Sequence, residues 1–132
     1  MKRNKQPRTM ATMAATIPNE LRNQKYISLA TFRKSGVPVR TPIWFAEDNG
    51  TLYIFTNPES GKVKRLLNNP AVMVAPCTIR GRIIGPEFSG RARILPQEAW
   101  PAARQLLKNK YWLMRLPFLW SKNSYFLEIE LM

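Results

Sequence analysis

A strand-to-helix break in the middle of the chain gathers residue types that bind phosphate. Thr56 closes a β-prone run, Ser60 is placed to cap the helix that follows, and Lys62 adds a full positive charge. The first N–H groups of a helix lack partners within it and attract anions. Gly61 lets a ligand approach the backbone, and Arg65 lies about one turn after Lys62. The segment predicts a phosphate site, with a plain helix cap and a solvated lysine as the alternative.

The residue types that the sequence lacks exclude several kinds of catalytic site. The 132 residues contain no histidine and a single cysteine, Cys77. Histidine-based triads, imidazole metal ligands, an internal disulfide and cysteine-cluster metal sites are therefore excluded. We predict no catalytic side chain, no metal site and a reducing cytoplasmic setting. Cys77 ends a buried strand, where it is either a small buried hydrophobe or a backbone contact to a ligand.

Net charge is the most unusual feature of the composition. The chain has 21 Lys and Arg against 8 Asp and Glu, a net charge of +13 at pH 7. Such a chain attracts polyanions, among them nucleic acid, anionic lipid and phosphorylated small molecules. No apolar run approaches the roughly 18 residues of a membrane-spanning helix, and no helix-turn-helix, zinc-finger or RNA-recognition signature occurs. A basic nucleic-acid-binding module is therefore the weaker of the two main hypotheses, and a small-molecule site is the stronger one.

The elements that must position the phosphate site are mostly β-strands. β-prone runs separated by turn residues predict strands at 26–32, 37–45, 51–56, 71–75, 88–95 and 124–131. Helices are predicted at 61–68 and from residue 96 to about residue 116. A hairpin signal at Asn49-Gly50 makes the first three strands a meander. An antiparallel sheet with helices at its ends indicates a small barrel.

The domain organisation predicted from the sequence is simple. Residues 1–16 have the composition of a flexible basic tail, and 17–132 form a single domain. Met1, Met10 and Met13 are all candidates for the initiating methionine.

The residues around the strand-to-helix break resemble the cofactor site of a known family. The segments 55–57, 60–62 and 66–70 resemble the flavin-site stretch of the pyridoxamine 5′-phosphate oxidase-like split β-barrels. The segments 26–32, 41–45, 60–66 and 75–77 are similar to the subgroup that uses the deazaflavin coenzyme F420. The resemblance covers about residues 20–95. Its central motif is fairly specific, because several residues must match at fixed spacing.

The resemblance implies a fold, a cofactor and an activity. The fold is mainly β (α+β), a six-stranded antiparallel split β-barrel of the FMN-binding type with flanking helices. The activity is that of an oxidoreductase that transfers hydride between F420 or FMN and a small organic substrate, in a homodimer with the cofactor at the interface. Residues expected to bind the cofactor are Arg40, Thr41, Pro42, Ile43, Thr56, Asn57, Ser60, Gly61, Lys62, Arg65 and Cys77.

Two departures separate the chain from true pyridoxamine phosphate oxidases. Gly61 stands where those enzymes carry an arginine before the lysine, and their C-terminal substrate-binding arginine and histidine have no counterpart here. Pyridoxamine phosphate is therefore not the expected substrate. A cofactor carrier of the same fold without turnover is a further alternative. FMN and F420 both stay open, because both use the same phosphate site.

Aromatic residues outside this stretch carry two further expectations. Trp44, beside Pro42 on an interrupted strand, either lines a pocket or belongs to the core. The aromatic cluster from Tyr111 to Trp120 is expected to help bury a subunit interface.

Overall fold

The computed structural model describes residues 16–112 and 124–132, which form one antiparallel sheet with two helices. The strands are β1 (Ile27–Phe32), β2 (Pro38–Ile43), β3 (Ala46–Asp48), β4 (Thr51–Thr56), β5 (Ala71–Pro76), β6 (Phe88–Ile94) and β7 (Tyr125–Leu131). The helices are α1 (Gly61–Asn68) and α2 (Trp100–Lys110), and short 3-10 turns lie at Asn19–Leu21 and Gln97–Ala99. The predicted tail lies outside the described residues except for residue 16.

The order of strands in the sheet explains why the barrel is split. The order is β2-β1-β5-β6-β7-β4-β3, and each strand is antiparallel to its neighbours. β2 and β3 lie at opposite ends of this order, yet only Trp44 and Phe45 join them in the chain. Two residues cannot span an open sheet, so the sheet must curl until its ends meet. The fold class predicted from the sequence, a mainly β split barrel with flanking helices, is confirmed by this topology.

The predicted strand at 37–45 is two strands in the structure, so the sheet has seven strands instead of six. β2 pairs with β1, whereas the short β3 forms the hairpin with β4. The predicted meander of three consecutive strands is therefore wrong. Pro42 lacks a backbone N–H, and the backbone of Phe45 hydrogen-bonds the Tyr111 hydroxyl instead of a strand.

Two apolar layers pack against the two faces of the sheet. Inside the barrel, buried residues from β1, β4, β5 and β7 meet Leu66 from α1. On the outer face, Ala103 and Leu107 of α2 pack on Phe126. Along β4 the buried positions alternate, so Thr56 shares the inward face with residues of the barrel core.

The helix boundaries agree with the sequence for α1 and differ for α2. α1 begins and ends where the apolar periodicity predicts. α2 ends at Lys110, and Tyr111 after it has extended backbone angles, so the helix is shorter than predicted. The predicted continuation beyond Trp112 lies outside the described residues. No helix in the described parts of the chain is long and apolar enough to cross a bilayer.

Candidate functional site

A cluster of hydroxyls and cations lies where β4 ends and α1 begins. The hydroxyls of Thr56 and Ser60 hydrogen-bond each other at 3.1 Å. Ser60 is the N-cap residue of α1, but its side chain makes no capping bond to the helix backbone. The cap expected from the sequence is therefore absent. The first N–H groups of α1 thus stay without a side-chain acceptor from their N-cap residue, next to the two hydroxyls.

Arg65 folds back over the start of α1. Its Nε donates a hydrogen bond to Thr31 Oγ1 on β1 at 2.6 Å. The guanidinium lies so close to Gly61 that a Cβ at that position would be 2.6 Å from Nη1. The absence of a side chain at Gly61 therefore makes room for a guanidinium at the N-terminus of the helix. No carboxylate pairs with Arg65 in the part of the chain that the structure describes.

Lys62 is a second cation of this cluster. Burial first, and the Arg65 guanidinium second, lower the pKa of the Lys62 ammonium. In the described ranges no acidic side chain forms an ion pair with Lys62. Two neighbouring cations without a counter-ion are stabilised by an anion bound between them. Two hydroxyls, a helix N-terminus, an ammonium and a guanidinium are together the donor set that a phosphate requires.

Thr41 places an unsatisfied hydroxyl near this cluster. Thr41 pairs with Leu29, and Thr31 pairs with Val39, so Thr41 is a diagonal neighbour of Thr31 on the same face of the sheet. Thr41 Oγ1 is buried and has no hydrogen-bond partner among the described residues. Burial of an unpaired hydroxyl costs about 1–3 kcal/mol. A polar ligand atom at this position would recover that free energy.

A cleft of about 390 Å³ opens at the split of the barrel. It is lined by Tyr26, Pro42, Ile43, Trp44, Phe55 and Ile79. Ile43 lies two residues after Thr41 on the inward face of β2, whereas Phe55 points to the outer face of β4, opposite to Thr56. None of the described residues that line the cleft belongs to the cation cluster, and β2 is the element that connects the two. An apolar cleft of this size has the character of a small-molecule site.

Arg40 lies away from the cluster. It neighbours Thr41 on β2, so the two side chains point to opposite faces of the sheet. The Arg40 guanidinium forms a bidentate ion pair with Glu87, with Nε and Nη2 donating at 2.9 and 3.1 Å. The structure thus brings together Thr56, Ser60, Gly61, Lys62 and Arg65 but not Arg40.

Two other predicted site residues are engaged elsewhere. The side-chain oxygen of Asn57 accepts a hydrogen bond from the Glu59 N–H at 2.8 Å, so it closes the turn before α1. Cys77 is buried, its N–H donates to the Tyr26 carbonyl at 3.4 Å, and burial raises the pKa of its thiol. Its amide is therefore occupied within the chain. No group of three or more potential metal ligands occurs in the described ranges.

Tyr111 has a structural role beside the cleft that its position in the sequence does not indicate. The Tyr111 ring stacks on Trp44, with centroids 4.6 Å apart and planes 6° apart. Its hydroxyl accepts the Phe45 N–H at 3.1 Å and reaches the carbonyls of Lys25 and Phe45 at 2.6 and 2.8 Å. A buried tyrosine usually finds a hydrogen-bond partner for its hydroxyl, but the sequence does not show that this partner is Phe45, 66 residues away. The remainder of the predicted interface cluster beyond Trp112 lies outside the described residues.

Known proteins share this architecture. The sequence model of the family described as Pyridoxamine 5′-phosphate oxidase matches residues 13–123. No curated protein gives a match.

Solved structures show the same fold at low sequence identity. HutZ, a heme storage protein from Vibrio cholerae, is 13% identical with a TM-score of 0.68, over 83% of both chains. An FAD-binding protein from Mesorhizobium loti is 21% identical with a TM-score of 0.64, over 85% of this chain and 82% of that one. General stress protein 26 from Bacillus anthracis is 26% identical with a TM-score of 0.60, over 85% and 83%.

Proposed function

The chain belongs to the pyridoxamine 5′-phosphate oxidase family, and from that premise we propose that it is an oxidoreductase that uses FMN or coenzyme F420. It transfers hydride between this cofactor and a small organic substrate, in a homodimer that holds the cofactor between its subunits. The observation that carries the proposal is the cluster of Lys62 and Arg65 at the start of α1. These cations have no acidic partner in the described residues, and β2, which carries the unsatisfied Thr41 hydroxyl, also lines an apolar cleft through Pro42 and Ile43.

The residues of the cluster fit the phosphate of such a cofactor. Thr56 and Ser60 offer hydroxyls, and Lys62 and Arg65 offer charge-assisted hydrogen bonds. The unsatisfied hydroxyl of Thr41 lies near the cluster and offers a further polar contact. These features are the ones expected of a site that is completed by an anion.

The chain's own residues bind and orient the cofactor and exclude water from it. When bound, the flavin or deazaflavin ring supplies the hydride chemistry. Pro42 and Ile43 line the cleft and offer an apolar surface to a ring system. No charged side chain of the described residues lines this cleft. We therefore assign the chain a role in binding and orientation and name no acid or base.

Heme is the other cofactor to consider, because a heme storage protein has the same fold. Heme iron is commonly held by histidine or by a cysteine thiolate. The chain has no histidine, and its one cysteine, Cys77, is buried with a raised pKa. Nothing in this site favours heme over a flavin. The absorption spectrum of the purified protein separates a flavin, a deazaflavin and a heme.

Lys62→Ala tests the phosphate site, with Lys64→Ala as the matched control. Both changes remove one lysine from α1, but Lys64 is exposed on another face of the helix. A charge-assisted hydrogen bond contributes about 1.5–3 kcal/mol. Lys62→Ala should therefore weaken FMN or F420 binding by about ten- to a hundred-fold, whereas Lys64→Ala should change it little.

Calorimetric titration of both variants at two salt concentrations measures this contrast. Equal losses would contradict a phosphate site. Equal losses that also disappear at the higher salt concentration would favour general polyanion binding, such as binding to nucleic acid.

A further inference from the structure

We propose that the pocket between Lys25 and Lys110 is an anion subsite, which selects planar aromatic substrates that carry a carboxylate. This inference rests on the proposed function, since it names the substrate class of the same cleft. The pocket is small, about 140 Å³. It is lined by Lys25, Tyr26, Trp44, Lys110, Tyr111 and Trp112. The subsite is formed by protein residues alone, so its anion preference can be measured without a cofactor.

The pocket continues the larger cleft. Tyr26 and Trp44 line both cavities, so one ligand can occupy the cleft and extend a substituent into the pocket. The pocket is below the range of roughly 300–1,000 Å³ that whole drug-sized ligands occupy. It is therefore suited to one end of a ligand rather than to a whole molecule.

Lys110 lines this pocket and also a neighbouring cavity that contains Phe45 and Glu47, and its ammonium has no close counter-ion in the described part of the chain. Its Nζ lies 3.4 Å from the centroid of the Phe45 ring and 5.2 Å from that of Tyr111. Glu47 attracts the ammonium, but among the described residues no carboxylate forms an ion pair with it. Burial lowers the pKa of Lys110 to about 8. An ammonium that has exchanged water for aromatic faces gains from a bound anion.

Both lysines are anchored to the same aromatic residue. Lys110 directly precedes Tyr111, and the Tyr111 hydroxyl donates to the Lys25 carbonyl at 2.6 Å. Tyr111 in turn stacks on Trp44. The backbone positions of the two lysines are therefore fixed relative to the aromatic wall, so a bound anion has only their side chains to order.

The walls of the pocket favour an aromatic ligand, and the two lysines favour a carboxylate as its anionic group. Lys110 is the last residue of α2, and the free carbonyl groups of a helix C-terminus carry partial negative charge. These partial charges weaken the binding of any anion but do not cancel the charges of the two lysines. The planar apolar walls formed by Trp44 and Tyr26 favour an aromatic ring as the remainder of the ligand.

Two probes of the same shape test the subsite, 2-naphthoate and the neutral 2-naphthamide. Calorimetric titration of the full chain without cofactor should show that the carboxylate binds about ten-fold or more tightly than the amide, as expected for one charge-assisted bond. In Lys110→Met, which keeps an apolar side chain, this preference should disappear. In Lys64→Met, a control on α1, it should be retained.

Equal binding of the two probes to the unchanged protein would overturn the proposal, as would a preference that survives in Lys110→Met. If the Lys110 variant does not fold, Lys25→Met carries the same test, because Tyr111 contacts the backbone of Lys25 and not its side chain. The Lys62 and Lys64 titrations with FMN are independent of this result. Failure of the subsite and failure of the cofactor site are thus distinguishable.

Discussion

A single hydroxyl group, that of Tyr111, fixes the chain at the split of the barrel. It satisfies the buried N–H of Phe45 and reaches two carbonyl oxygens, in the segment where β2 has ended and β3 has not begun. Burial raises the pKa of the Tyr111 phenol, so the group keeps its proton and remains a donor. The shape of the cleft thus depends on a residue that lies beyond the phosphate cluster in the sequence.

Tyr111→Phe is expected to destabilise the protein by about 1–3 kcal/mol, because the change leaves the Phe45 N–H buried without an acceptor. The stack on Trp44 should persist, since the ring is retained. Urea denaturation measures the difference. Tyr125→Phe is the control, because within the described ranges the Tyr125 hydroxyl forms no hydrogen bond and its ring, which packs on Trp100, is retained, so it should change stability much less. Equal effects of the two changes would contradict this role.

Lys110 predicts a pH dependence of stability. Burial lowers its pKa from 10.5 to about 8 in the folded protein. Below about pH 8 both states bind the proton, and the folded state carries the full unfavourable effect of burying the charge. Between pH 8 and 10.5 the unfolded chain binds a proton that the folded chain does not, so the contribution of this group to stability rises with pH.

Lys110→Met removes this pH-dependent contribution. The stability of the variant relative to the unchanged protein should therefore be most favourable near neutral pH and should fall as the pH approaches 10.5. Paired urea denaturation curves across that range measure it, since all other groups are common to both proteins. A difference that stays constant with pH would refute the lowered pKa.

At the scale of elements, the start of α1 combines backbone N–H groups that have no side-chain cap with the guanidinium of Arg65 from the same helix. Arg65 reaches back to Thr31, and Gly61 leaves the space that its guanidinium occupies. The helix therefore presents backbone N–H groups and a guanidinium in the same region.

Gly61→Ala separates cofactor binding from stability. The new Cβ would lie 2.6 Å from Arg65 Nη1, and the flexible guanidinium must move away. Helix propensity favours alanine, whereas displacement of the guanidinium weakens its hydrogen bond to Thr31, so the two effects oppose each other and stability without cofactor should change by less than about 1 kcal/mol. FMN or F420 binding should weaken by about ten-fold, as for one lost charge-assisted bond. Fluorescence titration beside thermal denaturation measures both effects, and an unchanged affinity would show that Arg65 does not contact the ligand.

At the scale of the whole molecule, the loop between β5 and β6 exposes apolar side chains that a second copy of the chain could cover. Ile79 is 66% exposed, Ile84 is 49% exposed and Ile83 is 37% exposed. These residues lie on the loop between β5 and β6, and Ile79 also lines the cleft. A second copy that covers this loop would close the cleft against water, which supports the proposed homodimer.

We therefore expect twice the mass of one chain in light scattering at micromolar concentration. Ile84→Glu, which places a charge on the exposed loop, should shift the protein toward the monomer and weaken cofactor binding. A monomer mass for the unchanged protein would refute the shared site. Unchanged assembly in Ile84→Glu would place the interface on another surface.

Short-range signals in the sequence were sufficient to predict the phosphate-binding part of the candidate site. Thr56, Ser60, Gly61, Lys62 and Arg65 lie within a single strand-to-helix segment, so their spacing alone brings them to one helix N-terminus. The bounds of α1 followed from apolar periodicity for the same reason. The barrel class followed from the order and length of the strand runs.

Pairing between distant segments decided the remainder. Whether Arg40 or Thr41 faces the cluster depends on how β2 pairs, because neighbouring residues of a strand point to opposite faces of the sheet. The hairpin signal at Asn49-Gly50 predicted that the whole 37–45 segment pairs with β4. In the structure only β3 pairs with β4, and β2 pairs with β1. The break before β3 is held by Tyr111, 66 residues from Phe45. No local pattern encodes such a contact, because it forms only when α2 packs on the outer face of the closed barrel.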